Sequence, residues 1–234
     1  PPGTWQNRTG QLSCIDSSIG YFVVGYGNFY QTACPVGTWQ NMHRQASCIA
    51  ASPGYYVNET ASSTQTESEP GYYVNSTGSE IQTPCIPGTW QDLSAQISCK
   101  DADVGHFVNE SASYVQEPCN PGSYQPLIRQ VSCIEADTGF YVSESGKGHQ
   151  TKCLWNKTTT STGQQSCIDD TDGDGVANIL DLDDDGDMIN DIDDFCPQGE
   201  INWTSGAALE TDLDRDGCRD NGEDNDDDGD GIED

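Results

Sequence analysis

Short apolar clusters recur between Pro1 and Ile168, separated by turn-forming and polar positions. Gly20-Tyr21-Phe22-Val23 returns as Gly54-Tyr55-Tyr56-Val57, Gly105-His106-Phe107-Val108 and Gly139-Phe140-Tyr141-Val142. A second motif, Gly3-Thr4-Trp5-Gln6, alternates with it as Gly37-Thr38-Trp39-Gln40, Gly88-Thr89-Trp90-Gln91 and Gly122-Ser123-Tyr124-Gln125. Aromatic and β-branched residues bounded by Pro and Gly predict short strands, two small hairpins to each repeat and little helix. No apolar run approaches the roughly 18 residues of a membrane-spanning helix, so no membrane span is expected in this segment.

Cysteine spacing sets the repeat length. Cys34 to Cys48, Cys85 to Cys99, Cys119 to Cys133 and Cys153 to Cys167 are each 14 apart, and Cys14 to Cys34, Cys99 to Cys119 and Cys133 to Cys153 are each 20 apart. The sum is a 34-residue unit, about five of which fill residues 1–168. The second unit is longer by a 17-residue half unit, since Gly71-Tyr72-Tyr73-Val74 copies the motif at Gly54 and Ser68 stands where a Cys is absent. The 14-residue interval is constant whereas the 20-residue interval tolerates this insertion. The 14-spaced cysteines are therefore expected to pair, each loop contributing about 3 kcal/mol by restricting the unfolded chain. Cys196 is left for Cys218. Cys14 has no partner, because its mate would lie one residue before Pro1, so the chain reads as a window of a longer protein or as one that bonds another subunit through Cys14. The last unit is degenerate, with Asn156-Lys157-Thr158 in place of Gly-Thr-Trp, as suits a terminal repeat.

Composition changes the picture in two ways. Only 33% of residues are hydrophobic, too few for a large core, so eleven cysteines must carry much of the stability and the chain belongs in an oxidising, extracellular compartment. Sequons at Asn7, Asn58, Asn75, Asn109, Asn156 and Asn202 agree, and N-linked glycans are expected there. The net charge of -30 is uneven: residues 169–234 hold 26 acidic and 2 basic residues. Such a field repels nucleic acid and attracts divalent cations.

The acidic residues are patterned. A calcium loop needs oxygens at positions 1, 3, 5, 9 and 12, a carbonyl at 7 and Gly at the turn. Asp170, Asp172, Asp174, Val176 (carbonyl), Asn178 and Asp181 fit this template. Asp183, Asp185, Asp187, Ile189 (carbonyl), Asp191 and Asp194 fit it again, thirteen positions on, with Met188 in place of Gly. A third copy is Asp212, Asp214, Asp216, Cys218 (carbonyl), Asp220 and Glu223, and a fourth begins with Asp226, Asp228, Asp230 and Asp234. No sustained 3.6-residue period flanks Asp170 or Asp212, which argues against an EF-hand.

Two resemblances follow from these motifs. The pattern Cys-x-x-Gly-Thr-Trp/Tyr, the constant interval to the next Cys and then Gly-Tyr-Tyr-Val, resembles the ephrin-receptor-like and tumour necrosis factor receptor-like cysteine-rich repeats over residues 1–168. That implies small modules stacked end to end as an elongated rod, and no particular ligand. The tandem acidic loops, ending in Asp193-Asp194-Phe195-Cys196-Pro197, resemble thrombospondin type 3 repeats over residues 169–234. That implies a chain wrapped around calcium ions in place of a hydrophobic core. The departures are Met188 and the stretch 198–211, where Trp203 is expected to pack on the Cys196–Cys218 bridge. A dockerin is the nearest rival and would require a helix after each loop.

No catalytic constellation is visible: His43, His106 and His149 occupy unrelated repeat positions, and there is no nucleophile motif, phosphate loop or zinc spacing. Trp5, Trp39 and Trp90 are expected to cover the disulfides rather than to form a carbohydrate-binding stripe. The chain thus reads as a non-enzymatic extracellular structural protein, a stalk or filament protomer at the cell surface. Its partners would be other copies of itself, head to tail, or neighbouring surface proteins. The alternative is an adhesin or receptor ectodomain that binds a protein or glycan.

Overall fold

Each apolar cluster is the first strand of an antiparallel hairpin. In the computed structural model, which describes residues 1–206 and 211–233, first strands begin at Thr4, Tyr21, Thr38, Tyr55, Tyr72, Thr89, His106, Ser123, Phe140 and Lys157, a constant step equal to the inserted half unit. Every strand has two residues, as in Thr38–Trp39 paired with Ile49–Ala50. These ten hairpins, numbered 1 to 10 in chain order, are the regular structure among the described residues, which contain no helix.

With the first strand at positions 4 and 5 of each hairpin, position 0 is Ser17 in hairpin 2, Cys34 in hairpin 3, and so on. The structural period is one hairpin, half the unit suggested by the cysteines. The extra half unit is hairpin 5, and it joins the series without a break: Gly54 N–H donates to Val74 O and Gly71 N–H to Gln91 O, both at 2.7 Å.

A two-stranded hairpin of this size is not stable alone. Within each compact unit, neighbouring hairpins are joined by recurring backbone contacts. In hairpins 3 to 5, Gly37 N–H donates to Val57 O at 2.7 Å, Val57 N–H to Ser79 O at 3.0 Å, and Ala61 N–H back to Cys34 O at 2.8 Å. The same three recur at Gly122, Val142 and Gly146. Two inward columns form the thin core. Position 0 is always small and buried, Ser17, Cys34, Ala51, Ser68, Cys85, Ala102 and Cys119 all being 0% exposed. Position 6 is Val in hairpins 2, 4, 5, 7 and 9 and buried Gln in hairpins 3, 6 and 8. Gln40 donates from Nε2 to Ser47 O and accepts Met42 N–H, so the buried amide fastens its own loop.

The neck of each hairpin is closed by one of two devices. Hairpins 3, 6, 8 and 10 carry Cys34–Cys48, Cys85–Cys99, Cys119–Cys133 and Cys153–Cys167, the 14-spaced pairs. In the other type, Gln replaces the second Cys and its Oε1 accepts a backbone N–H at position 1. The bonds are Ser18 N to Gln31, Ser52 N to Gln65, Glu69 N to Gln82, Asp103 N to Gln116 and Asp137 N to Gln150, all 2.6–2.8 Å. Cys14 holds the same place in hairpin 1 and is a free, exposed thiol. Trp5, Trp39 and Trp90 are half-buried on their strands, not an exposed ladder.

The chain divides into two compact units, Pro1–Glu117 with Leu127–Ser132, and Pro118–Pro126 with Cys133–Asp234. The composition boundary at 168/169 lies inside the second unit, so the acidic segment shares it with the last hairpins.

In hairpins 1 to 6 and in hairpin 8 the glycine at position 3 lies against a carbonyl two hairpins on. At Gly54, with φ +86, a Cβ would stand 2.3 Å from Ala95 O, whereas at Gly10, with φ +73, it would meet nothing within 4 Å. Gly10→Ala is expected to cost about 1–2 kcal/mol from left-handed backbone alone. Gly54→Ala should cost at least twice that, read by chemical denaturation of the disulfide-intact protein.

Candidate metal centre

The first acidic loop is built onto the hairpin series. Asp170 falls at position 0 of what would be an eleventh hairpin: its N–H donates to Asn156 O, as Ser17 N–H does to Gly3 O, and it is 3% exposed. A carboxylate thus stands in a column otherwise filled by Ser, Ala and Cys.

Each loop is shaped by its own carboxylates. The first Asp accepts N–H groups from positions 5 and 6: Asp183 from Asp187 and Met188, Asp212 from Asp216 and Gly217, and Asp226 from Asp230 and Gly231. The turn residue needs positive φ, which Gly175, Gly217 and Gly231 supply at 100°, 91° and 86°; Met188 is held at 83° with its side chain exposed. The ninth residue fastens the loop. Asn178, Asp191 and Asp220 each accept, through Oδ1, the N–H seven residues earlier, from Thr171, Asp184 and Leu213.

Among the described residues this folding brings carboxylate oxygens within 4.8 Å of one another in five groups: Asp170/Asp172/Asp174, Asp183/Asp185/Asp187, Asp212/Asp214/Asp216, Asp226/Asp228/Asp230, and Asp220/Asp224/Asp227. The fifth group was not anticipated. Its signal lay in the spacing: loops 3 and 4 start at Asp212 and Asp226, one position further apart than loops 1 and 2 at Asp170 and Asp183, so the residue two before the next loop is Asp224. In loop 1 that residue is Asp181, which accepts Asp183 N–H, and Asp224 likewise accepts Asp226 N–H at 2.9 Å. Glu223, taken from the sequence as the closing ligand of loop 3, turns elsewhere and accepts N–H groups of Glu200 and Arg219. Asp234 lies outside the described residues.

The loops dock on one another. Asp172 N–H donates to Asp184 O, Phe195 N–H to Asp216 O and Ser205 N–H to Asp187 O, and Cys196–Cys218 ties loop 2 to loop 3. Trp203 donates its indole N–H to Glu200 O. Docking buries charge: Asp185 is 1% and Asp187 0% exposed. Desolvation, then repulsion from neighbouring carboxylates, pushes Asp187 and Asp194 up to about 6 and raises Asp172, Asp184, Asp185, Asp214 and Asp216. Asp184 Oδ1, Asp187 Oδ2, Asp194 Oδ2 and Asp224 Oδ2 are buried with no hydrogen-bond donor. Carboxylates gathered in threes, two of the groups holding an orphaned oxygen of Asp187 or Asp224, suit a hard, oxygen-liganded cation, and the set is compatible with calcium. No helix flanks the loops among the described residues, so the element required by an EF-hand or a dockerin is missing.

No protein-family model matches the chain, and no curated protein is significantly similar to it.

Asp224→Asn should weaken cation binding at loop 3 by about tenfold or more, and Glu223→Gln by much less, as measured by titration calorimetry. The raised carboxylates set a pH dependence with a definite sign. Asp187 and Asp194 bind protons in the folded state at pH values where their unfolded counterparts, near 3.8, do not. The metal-free segment should therefore become more stable as pH falls through about 6 toward 4, while cation affinity falls over the same range; circular dichroism with and without calcium reads both.

Proposed function

We propose that the chain is an extracellular structural protein, a protomer of a cell-surface stalk or filament stabilised by disulfides, calcium and N-glycans. The observation that carries this reading is the identical step from hairpin to hairpin. A series in which each module bonds only near neighbours is lengthened by copying one hairpin, and hairpin 5 is such a copy. Five disulfides support folding in an oxidising, secretory environment, and no helix is long and apolar enough to cross a membrane. The likeness to ephrin-receptor-like and thrombospondin type 3 repeats supports the same class. In this reading calcium occupies the acidic groups and serves as the core of residues 169–234. Two of the three histidines serve structure: the His43 ring nitrogen Nδ1 lies 3.2 Å from Ser17 O, and that of His106 3.2 Å from Val104 O.

A second reading, an adhesin or receptor ectodomain, draws on the loop of hairpin 2, where Tyr26, Phe29 and Tyr30 are 81%, 70% and 71% exposed. Light scattering and electron microscopy of the oxidised protein in calcium separate the two. Growth into linear assemblies that survives Tyr26→Ser, Phe29→Ser and Tyr30→Ser supports the structural role. A monomer at every concentration, whose attachment to cells is lost with those substitutions, supports the adhesin. Chelation is expected to open residues 169–234 to protease while hairpins 1 to 9 stay resistant; continued resistance of the acidic segment would sink the calcium reading.

A further inference from the structure

Four of the six sequons occupy one position of the hairpin. Asn7, Asn58, Asn75 and Asn109 stand at position 7 of hairpins 1, 4, 5 and 7, at the start of the loop between the strands. Each sequon fills positions 7 to 9 and ends against a left-handed residue at position 10, Gly10, Ala61, Gly78 or Ala112. All four asparagines, and the hydroxyl residues Thr9, Thr60, Thr77 and Ser111, are exposed.

Two residues before each of these asparagines, at position 5, is an aromatic: Trp5, Tyr56, Tyr73 or Phe107. In hairpins 4, 5 and 7 the residue between them points inward, Val57 and Val74 being 2% exposed and Val108 3%. Extended backbone sends alternate side chains to opposite faces, so positions 5 and 7 share the outward face. A half-buried ring thus lies beside the asparagine as a flat apolar platform. The remaining sequons lack this arrangement. Asn156 follows Leu154 by two, its carbonyl takes Asp170 N–H, and its Thr158 is 5% exposed; Asn202 follows Glu200 by two.

We propose that position 7 of the hairpin is an N-glycosylation site at which the first sugar stacks on the position-5 aromatic and becomes part of the folded repeat. The donor is a lipid-linked pyrophosphoryl oligosaccharide. The asparagine Nδ2 attacks the anomeric carbon, forming an N–C1 bond; the C1–O bond to pyrophosphate breaks, the lipid pyrophosphate leaves with the electron pair, and Nδ2 loses one proton to a base of the transferase. The C–H face of the sugar then meets the electron-rich face of the ring.

This inference rests on the secretory passage proposed above. It is tested on the full chain secreted from cultured eukaryotic cells, with site occupancy read by mass spectrometry after glycan release in heavy-oxygen water. Occupancy at Asn7, Asn58, Asn75 and Asn109 with Asn156 bare is the expected result. Tyr73→Phe and Tyr73→Ala then test the platform at Asn75. Enzymatic glycan removal should raise the unfolding equilibrium constant of the parent and of Tyr73→Phe by about two- to tenfold relative to Tyr73→Ala. Equal occupancy at Asn156, or the same effect of glycan removal in Tyr73→Ala as in the parent, overturns the proposal. Bare position-7 asparagines in a secreted chain that forms its disulfides and binds calcium overturn it too, leaving the structural reading intact.

Discussion

The backbone hydrogen bonds between consecutive hairpins are the constraint from which the rest of the structure follows. They require close approach, and close approach requires little at two places. One is the glycine at position 3, where a carbonyl two hairpins on comes within 2.0–2.5 Å of any added Cβ in each hairpin from Gly3 to Gly88 and again at Gly122. The other is the small residue at position 0. With those columns occupied by Gly, Ser, Ala and Cys, a thick apolar core cannot form. Many large hydrophobic side chains, among them Leu12, Tyr26 and Ile81, therefore remain on the surface. Stability is shared along the series, because a two-residue strand pair contributes little alone.

The two neck devices are consequences of the same geometry. The cysteine at position 0 is fully buried in the small-residue column, and a partner at position 14 closes the hairpin covalently. Where position 0 is Ser or Ala, a Gln at position 14 reaches one residue further and captures the position-1 N–H. Disulfide and side-chain hydrogen bond thus do equivalent work at different strengths, so hairpins can be inserted in either form without disturbing the step. Ser17 and Ser68 add a bond of their own, each accepting the position-11 N–H of the next hairpin.

The acidic segment obeys a related rule with charge in place of close contact. Its carboxylates first satisfy the loop's own backbone N–H groups, and only then present unpaired oxygens to one another. Burial first, and repulsion between grouped carboxylates second, push Asp187 and Asp194 up to about 6. A bound cation would reverse the sign of that interaction and turn the repulsion into cohesion. Because Asp170 also occupies the buried column of the hairpin series, the first loop caps the last hairpin in the second unit.

Much of this organisation was legible in the chain. Cysteine spacing separates staple from spacer, Gly-aromatic motifs mark the strands, and the Asp-x-Asp-x-Asp runs mark the loops, because each reflects chemistry completed within a single hairpin or loop. What the tertiary structure decided lies further apart. The true period, one hairpin, was hidden because alternate hairpins close their necks with different chemistry, Gln31 or Gln65 standing where Cys48 stands, and that equivalence shows only when the bonds are seen. Likewise, with one extra residue between Asp212 and Asp226, it is Asp224 that accepts the N–H of Asp226, while Glu223 accepts that of Arg219. Sequence by itself determined the local units; their step and the grouping of their carboxylates arose only from the approach of backbones distant in the chain, where hydrogen-bond geometry has one solution and spacing alone allows several.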